Sequence, residues 1–146
     1  MISLSLHNQK VGFMGQNRAR QHLTEKGYNI VAENFRCRMG EIDLIATIKN
    51  VLVFIEVKTD LTGYYGEAES RVDLRKQRRI KRAALFFLTD NKFRYHRGWE
   101  YRFDVIVVEK EYSQNQNNLR DFQIKENHNG QLEHNDLNIR HIKNAF

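Results

Sequence analysis

Apolar residues recur along the chain with two different periods. Between residues 11 and 26, Gln16, Ala19 and Leu23 fall at i, i+3 and i+7 and share one side of a helix, which Gly27 ends. Residues 28–35 read as a strand and residues 37–40 as a turn. Ile42, Leu44, Ile45, Ala46 and Ile48, then Val51 to Ile55 and Val57, form two strongly apolar runs separated only by Lys49 and Asn50. That is the pattern of a hairpin between two central strands. Residues 61–69 hold two glycines and two tyrosines with no period, which predicts a loop. Over residues 74–88 the stripe of Leu74, Ile80, Ala84, Phe87 and Leu88 predicts a second helix, its other faces covered by Arg75, Lys76, Arg78, Arg79, Lys81 and Arg82. Residues 100–109 alternate and then become the buried run 105–108 of another strand. The tail from Ser113 is rich in Asn and Gln, yet Phe122, Ile124, Leu132, Leu137, Ile139, Ile142 and Phe146 recur in it. The expectation there is a short hairpin followed by a docked terminal helix, or else a partly disordered tail.

Helices and strands interleave without a linker or an internal repeat, so the class is α/β. The whole of residues 1–146 reads as one domain, with a core over about 12–110 and 111–146 as its C-terminal extension. At 146 residues and 17.4 kDa the chain is of ordinary single-domain size. It buries roughly 68–70% of its unfolded surface in one core. A hydrophobic fraction of 40% with 29% charged residues excludes a disordered polyelectrolyte. The single cysteine, Cys37, excludes an internal disulfide and a thiolate zinc site, and reads as a small core filler. No segment approaches the roughly 20 apolar residues of a membrane span, and the first ten residues lack the pattern of a signal peptide. The expected setting is cytoplasmic, without a membrane partner.

The formal net charge of +6 points to a polyanion. Its location narrows the reading. Eleven cations against three anions fall between Arg71 and Arg102, leaving the rest of the chain slightly acidic. Six cations within eight positions of the second helix repel one another without an acid at i+4. This favours phosphate contacts by Arg75, Lys76, Arg78, Arg79 and Arg82 over a merely solvated face. Gln77 lies beside the inward stripe, as a core amide or a residue reaching toward a phosphate. Tyr64 and Tyr65 could stack on unpaired bases but more often such loop aromatics pack locally. The six histidines show no pair at ligand spacing, and Asp104 beside Arg102 reads as an ion pair or fold contact.

The carboxylates of the hairpin carry the candidate chemistry. A two-residue turn at Lys49 and Asn50 sets Asp43 opposite Glu56 and Glu41 opposite Lys58, all four on one face. Two carboxylates about 5 Å apart repel by roughly 3 kcal/mol at an effective dielectric near 20. A proton, a neighbouring cation or a divalent metal would relieve that repulsion. Oxygen ligands with no imidazole or thiolate favour Mg²⁺ or Mn²⁺, and Lys58 suits the orientation of an attacking water. The alternative is structural: Glu41 and Lys58 as a cross-strand ion pair, with Asp43 and Glu56 satisfied by other donors.

The runs Gly40-Glu41-Ile42-Asp43-Leu44-Ile45 and Val53-Phe54-Ile55-Glu56-Val57-Lys58-Thr59 resemble the core of the YraN-like family of bacterial proteins. The resemblance extends from about Gly12 to Val108. It takes in Gly27-Tyr28, Asn34-Phe35-Arg36, Tyr65-Gly66, Lys76 with Ala83-Ala84, and Arg102-Phe103-Asp104-Val105, and the closing Asn144-Ala145-Phe146 is similar too. That family is similar to the restriction-endonuclease-like nuclease superfamily, with an aspartate on one core strand and Glu-x-Lys on the next. The resemblance implies a mixed central β-sheet flanked by helices and a magnesium-dependent endonuclease acting on DNA, including branched DNA. By position, Asp43 and Glu56 would bind metal with the Val57 carbonyl, and Lys58 would place the water. Two positions depart from the family pattern: Gln16 replaces a helical glutamate, supporting the site with a neutral oxygen, and Asp60 stands where arginine is common. The rival reading is therefore a non-catalytic nucleic-acid-binding accessory module with a degenerate site. A homodimer is compatible with everything in the sequence.

Overall fold

A computed structural model of the protein describes residues 4–61, 72–90, 98–110 and 137–146. The elements run α1 (Leu4–Glu25), β1 (Asn29–Cys37), β2 (Gly40–Ile48), β3 (Val51–Asp60), α2 (Leu74–Thr89), β4 (Glu100–Lys110) and β5 (Leu137–Ile142). The strands form one sheet in the order β1-β2-β3-β4-β5, antiparallel except for the β3–β4 pair. A parallel pair requires a crossover, and α2 lies on it. The architecture is thus the expected α/β arrangement, a mixed sheet with a helix on each face.

Each face has its own core. Ala19 and Leu23 of α1 pack with Tyr28, Leu44, Ala46, Val53, Ile55, Ile106 and Val108, whereas Ile80, Ala83, Ala84 and Phe87 of α2 pack with Ile42, Ile45, Leu52, Phe54, Val105 and Val107. Strands covered on both faces read as nearly continuous apolar runs, which is why β2, β3 and β4 were conspicuous in the sequence. Cys37 is half-buried at the margin of the α2-side core. At the end of α1, Gly27 takes a φ of 83°, and the Tyr28 N–H returns to the Leu23 carbonyl at 2.9 Å.

Two expectations change. Helix α1 begins at Leu4, well before residue 11, because residues 4–10 contain no glycine or proline to stop propagation. The C-terminal segment 137–142 is a strand, not a docked helix. Ile139, Ile142 and Phe146 have helical spacing, but the open edge of β4 offers the backbone a ladder, and pairs from Val105–Ile142 to Lys110–Leu137 form on it. The predicted loop at 61–69, with Tyr64 and Tyr65, lies almost wholly outside the described residues, as does the tail from 111 to 136.

Beneath β5, Asp104 is completely buried. Its carboxylate accepts from Arg102 Nε and Nη2 at 2.8 Å each and from the Asn144 N–H at 3.0 Å, and it lies 2.8 Å from His141 Nε2. Burial alone would raise its carboxyl, but the contacts from His141, Arg102 and Asn144 outweigh it and hold the group below the usual range. Arg102 also donates to the Tyr28 hydroxyl at 2.9 Å. The sequence reading of Asp104 as a fold contact thus gains two further partners, His141 of β5 and Asn144 near the C-terminus, while Arg102 ties the group to Tyr28.

Candidate functional site

The hairpin register is the one that the two-residue turn dictates: Leu44 faces Ile55 and Ile48 faces Val51. The ladder stops at Leu44–Ile55, one step short of Asp43. At the same step Asn34 on β1 has a φ of 49°, and the β1–β2 pairing passes from Glu33–Leu44 to Phe35–Ile42 without pairing the residues between. Both strands change face there. Ile42 and Ile45 consequently lie in the same core cluster although three positions apart. Strict alternation does not survive across Asp43, so the expected common face of Glu41, Asp43, Glu56 and Lys58 does not form. Glu41 instead stands on the exposed rim, 3.5 Å from Arg36 Nε.

What the break releases is the Asp43 side chain. Its Oδ2 accepts the Val57 N–H at 2.8 Å, replacing a ladder bond with a carboxylate inserted between β2 and β3. Glu56, adjacent on β3 and only 8% exposed, comes close enough for the two carboxyl groups to share a hydrogen bond when one is protonated. A cation touching this pair comes from α2: Lys76 Nζ is 3.0 Å from Glu56 Oε1. Among the described residues the other oxygen, Glu56 Oε2, is buried without a hydrogen-bond partner.

Electrostatics follow from that geometry. Burial, then the Asp43 charge, push the Glu56 carboxyl up to about 7, with Lys76 opposing them. Asp43 is also raised by burial, partly offset by the Val57 N–H and Lys76. Burial disfavours the Lys76 charge, but Glu56, Asp43 and Glu41 outweigh it and keep the ammonium above its ordinary value.

A cleft of about 360 Å³ opens onto Asp43 from the α1 side, lined also by Asn8, Val11, Gly12, Gln16, Val57 and Thr59. Gln16 Nε2 donates to the Asp43 carbonyl at 3.2 Å, so the predicted supporting residue does reach the site. The approach of helix to strand is close because residue 15 is glycine: a Cβ there would collide with Thr59 Oγ1. Val57 and Thr59 face α1, while Glu56, and with it Lys58, face α2. Asp60 is buried at the last position of β3 and is not part of the cleft lining.

On α2, Arg75, Arg78, Arg79, Lys81 and Arg82 are exposed, as a phosphate-contacting surface requires, whereas Lys76 is turned inward to Glu56. Sequence reasoning grouped Lys76 with its neighbours. The signal it overlooked is spacing, since Lys76 lies four residues before the buried Ile80 and thus on the inward stripe. Gln77 uses its amide locally, donating to the Val72 carbonyl at 2.8 Å. Among the described residues no group of three His, Cys, Asp or Glu side chains gathers for a metal, and no helix is long and apolar enough to cross a membrane. Among the described residues the two carboxyl groups stand together as oxygen donors for a hard ion, and Val57 lines the cleft beside Asp43. Glu56 Oε2, buried and unpartnered, fits such an ion.

Comparison with known proteins adds a family. The profile of the uncharacterised protein family UPF0102 matches residues 15–108. A UPF0102 protein from Caldanaerobacter subterraneus subsp. tengcongensis is 40% identical over 103 residues, covering 70% of this chain and 82% of the relative. One from Alkaliphilus oremlandii is 40% identical over 111 residues, 74% and 94% of the two chains, and one from Clostridium botulinum 41% over 101 residues, 69% and 80%. The matched span holds Gln16, Asp43, Glu56, Val57, Lys58 and Lys76.

Proposed function

The chain belongs to the uncharacterised protein family UPF0102, and from that footing we propose that it is a metal-dependent endonuclease hydrolysing phosphodiester bonds in DNA, branched DNA included. The observation that carries the reading is Glu56 Oε2, buried beside the half-buried Asp43 carboxyl and without a hydrogen-bond partner among the described residues. Asp43, Glu56 and the Val57 carbonyl would hold Mg²⁺ or Mn²⁺, which would supply Lewis acidity to a phosphoryl oxygen and favour ionisation of water. Lys58, on the Glu56 face, orients the attacking water, and Gln16 supports the Asp43 segment through its bond to the Asp43 carbonyl. Arg75, Arg78, Arg79 and Arg82 grip the DNA backbone beside the site without reading sequence.

The test is incubation of the protein with linear, single-stranded, flapped and four-way-junction DNA in Mg²⁺ or Mn²⁺. Metal-dependent cleavage is expected, slowed at least about 100-fold by Asp43→Ala. Cleavage surviving that substitution assigns the chemistry elsewhere. DNA binding with no cleavage under any of these conditions supports the accessory module instead.

A further inference from the structure

Helix α2 delivers the Lys76 ammonium to one oxygen of a site that holds two carboxyl groups. Its first turn is fixed in place: Asp73 Oδ1 accepts the Lys76 N–H at 2.8 Å, the Asp73 carbonyl accepts the Gln77 N–H at 2.9 Å, and the Gln77 amide closes on Val72. The Lys76 backbone therefore stays put while its side chain, 36% exposed, retains a path to solvent. Within the site the ammonium satisfies only Glu56 Oε1 and leaves Oε2 bare. A divalent ion shared by Asp43 and Glu56 would satisfy more of the carboxylate oxygens and would be repelled by the ammonium.

We infer that Lys76 is a resident counter-ion of the Asp43–Glu56 pair that a divalent cation has to displace, and that displacement turns its ammonium toward a phosphate of the bound DNA. The inference rests on the nuclease reading and gives Lys76 two successive partners. Its neighbours Arg75, Arg78 and Arg79 are already exposed, so the released ammonium joins the cationic surface proposed to contact phosphates. The flexible four-carbon stem of lysine suits such an exchange better than a planar, bidentate guanidinium does.

Calorimetric titration of Mn²⁺ alone into the wild type, Lys76→Met and Lys76→Arg separates this from a structural ion pair. With no ammonium to displace, Lys76→Met should bind Mn²⁺ about fivefold more tightly. Lys76→Arg should stay within about twofold of the wild type because it keeps the charge. At saturating Mn²⁺, junction cleavage by Lys76→Met should nevertheless slow about tenfold, so affinity and rate move in opposite directions. Circular dichroism checks folding, and Lys76→Gln is the second neutral variant if Met disrupts the fold. Unchanged or weaker Mn²⁺ binding in the neutral variant overturns the counter-ion role, and tighter binding with unslowed cleavage overturns the transfer to phosphate. Tighter binding in the neutral variant with no DNA cleavage by any protein supports the counter-ion and removes the nuclease reading alone. No Mn²⁺ binding in the wild type overturns both.

Discussion

Glu56 places a carboxylate where water barely reaches and another carboxylate already stands. With its carboxyl pushed up to about 7 from an ordinary 4.5, the folded protein holds a proton between those values that the unfolded chain has released. Metal-free stability should therefore fall as pH rises through that window, by about 1.4 kcal/mol per unit at most, since the folded state binds more protons there than the unfolded one. Glu56→Gln removes the titration. In urea denaturation it should be more stable than the wild type by about 2 kcal/mol near pH 8, with the difference vanishing toward about pH 4. A wild-type stability that rises or stays level across the window would contradict the burial of this charge. Asp43 and Glu56 were legible in the sequence because each interrupts an apolar run. Lys76 was not, because five exposed cations around it conceal which one points inward. Asp104 and His141 lie 37 residues apart, and no local pattern announces their contact.

Elements were legible where one period held and obscure where it broke. The turn at Lys49 and Asn50 fixes the β2–β3 register without tertiary information. The change of face at Asn34 and Asp43 arises from β1, β2 and β3 meeting, and a single strand's alternation cannot encode it. Likewise β5 owes its conformation to the edge of β4. The packing of α1 on β3 has a sequence mark, Gly15, whose meaning needs the structure: Thr59 occupies the space that a Cβ would take. Gly15→Ala should cost about 2 kcal/mol of stability by forcing helix and strand apart. Since the same helix carries Gln16, it should also weaken Mn²⁺ binding. Thr59→Ala in the same chain removes the colliding Oγ1 and should recover part of both losses. A Gly15→Ala protein as stable as the wild type in urea would show that α1 adjusts freely, and that its distance from β3 does not set the cleft.

Across the molecule the net charge of +6 separates into a basic stretch from Arg71 to Arg102 and a slightly acidic remainder. Asp43 is held between β2 and β3 and Glu56 and Asp104 are buried, while the cations of α2 other than Lys76 remain at the surface. Under the proposed nuclease function, such a division would let one small domain attract a polyanion over one face and still present carboxylates to a metal at one point. Phosphate contacts made by exposed cations release counter-ions, and each contributes about 0.9 to the slope of log affinity against log salt on duplex DNA. Replacing Arg75, Arg78, Arg79 and Arg82 with Gln should thus flatten that slope by about 3 to 4 and weaken binding uniformly across sequences. All four side chains are exposed, so the melting temperature of the free protein should hardly move. The same variant should keep its Mn²⁺ affinity, because its substitutions leave Lys76, Asp43 and Glu56 in place. A slope that stays steep after the four substitutions would move the DNA surface away from α2, and with it the phosphate that a displaced Lys76 would meet.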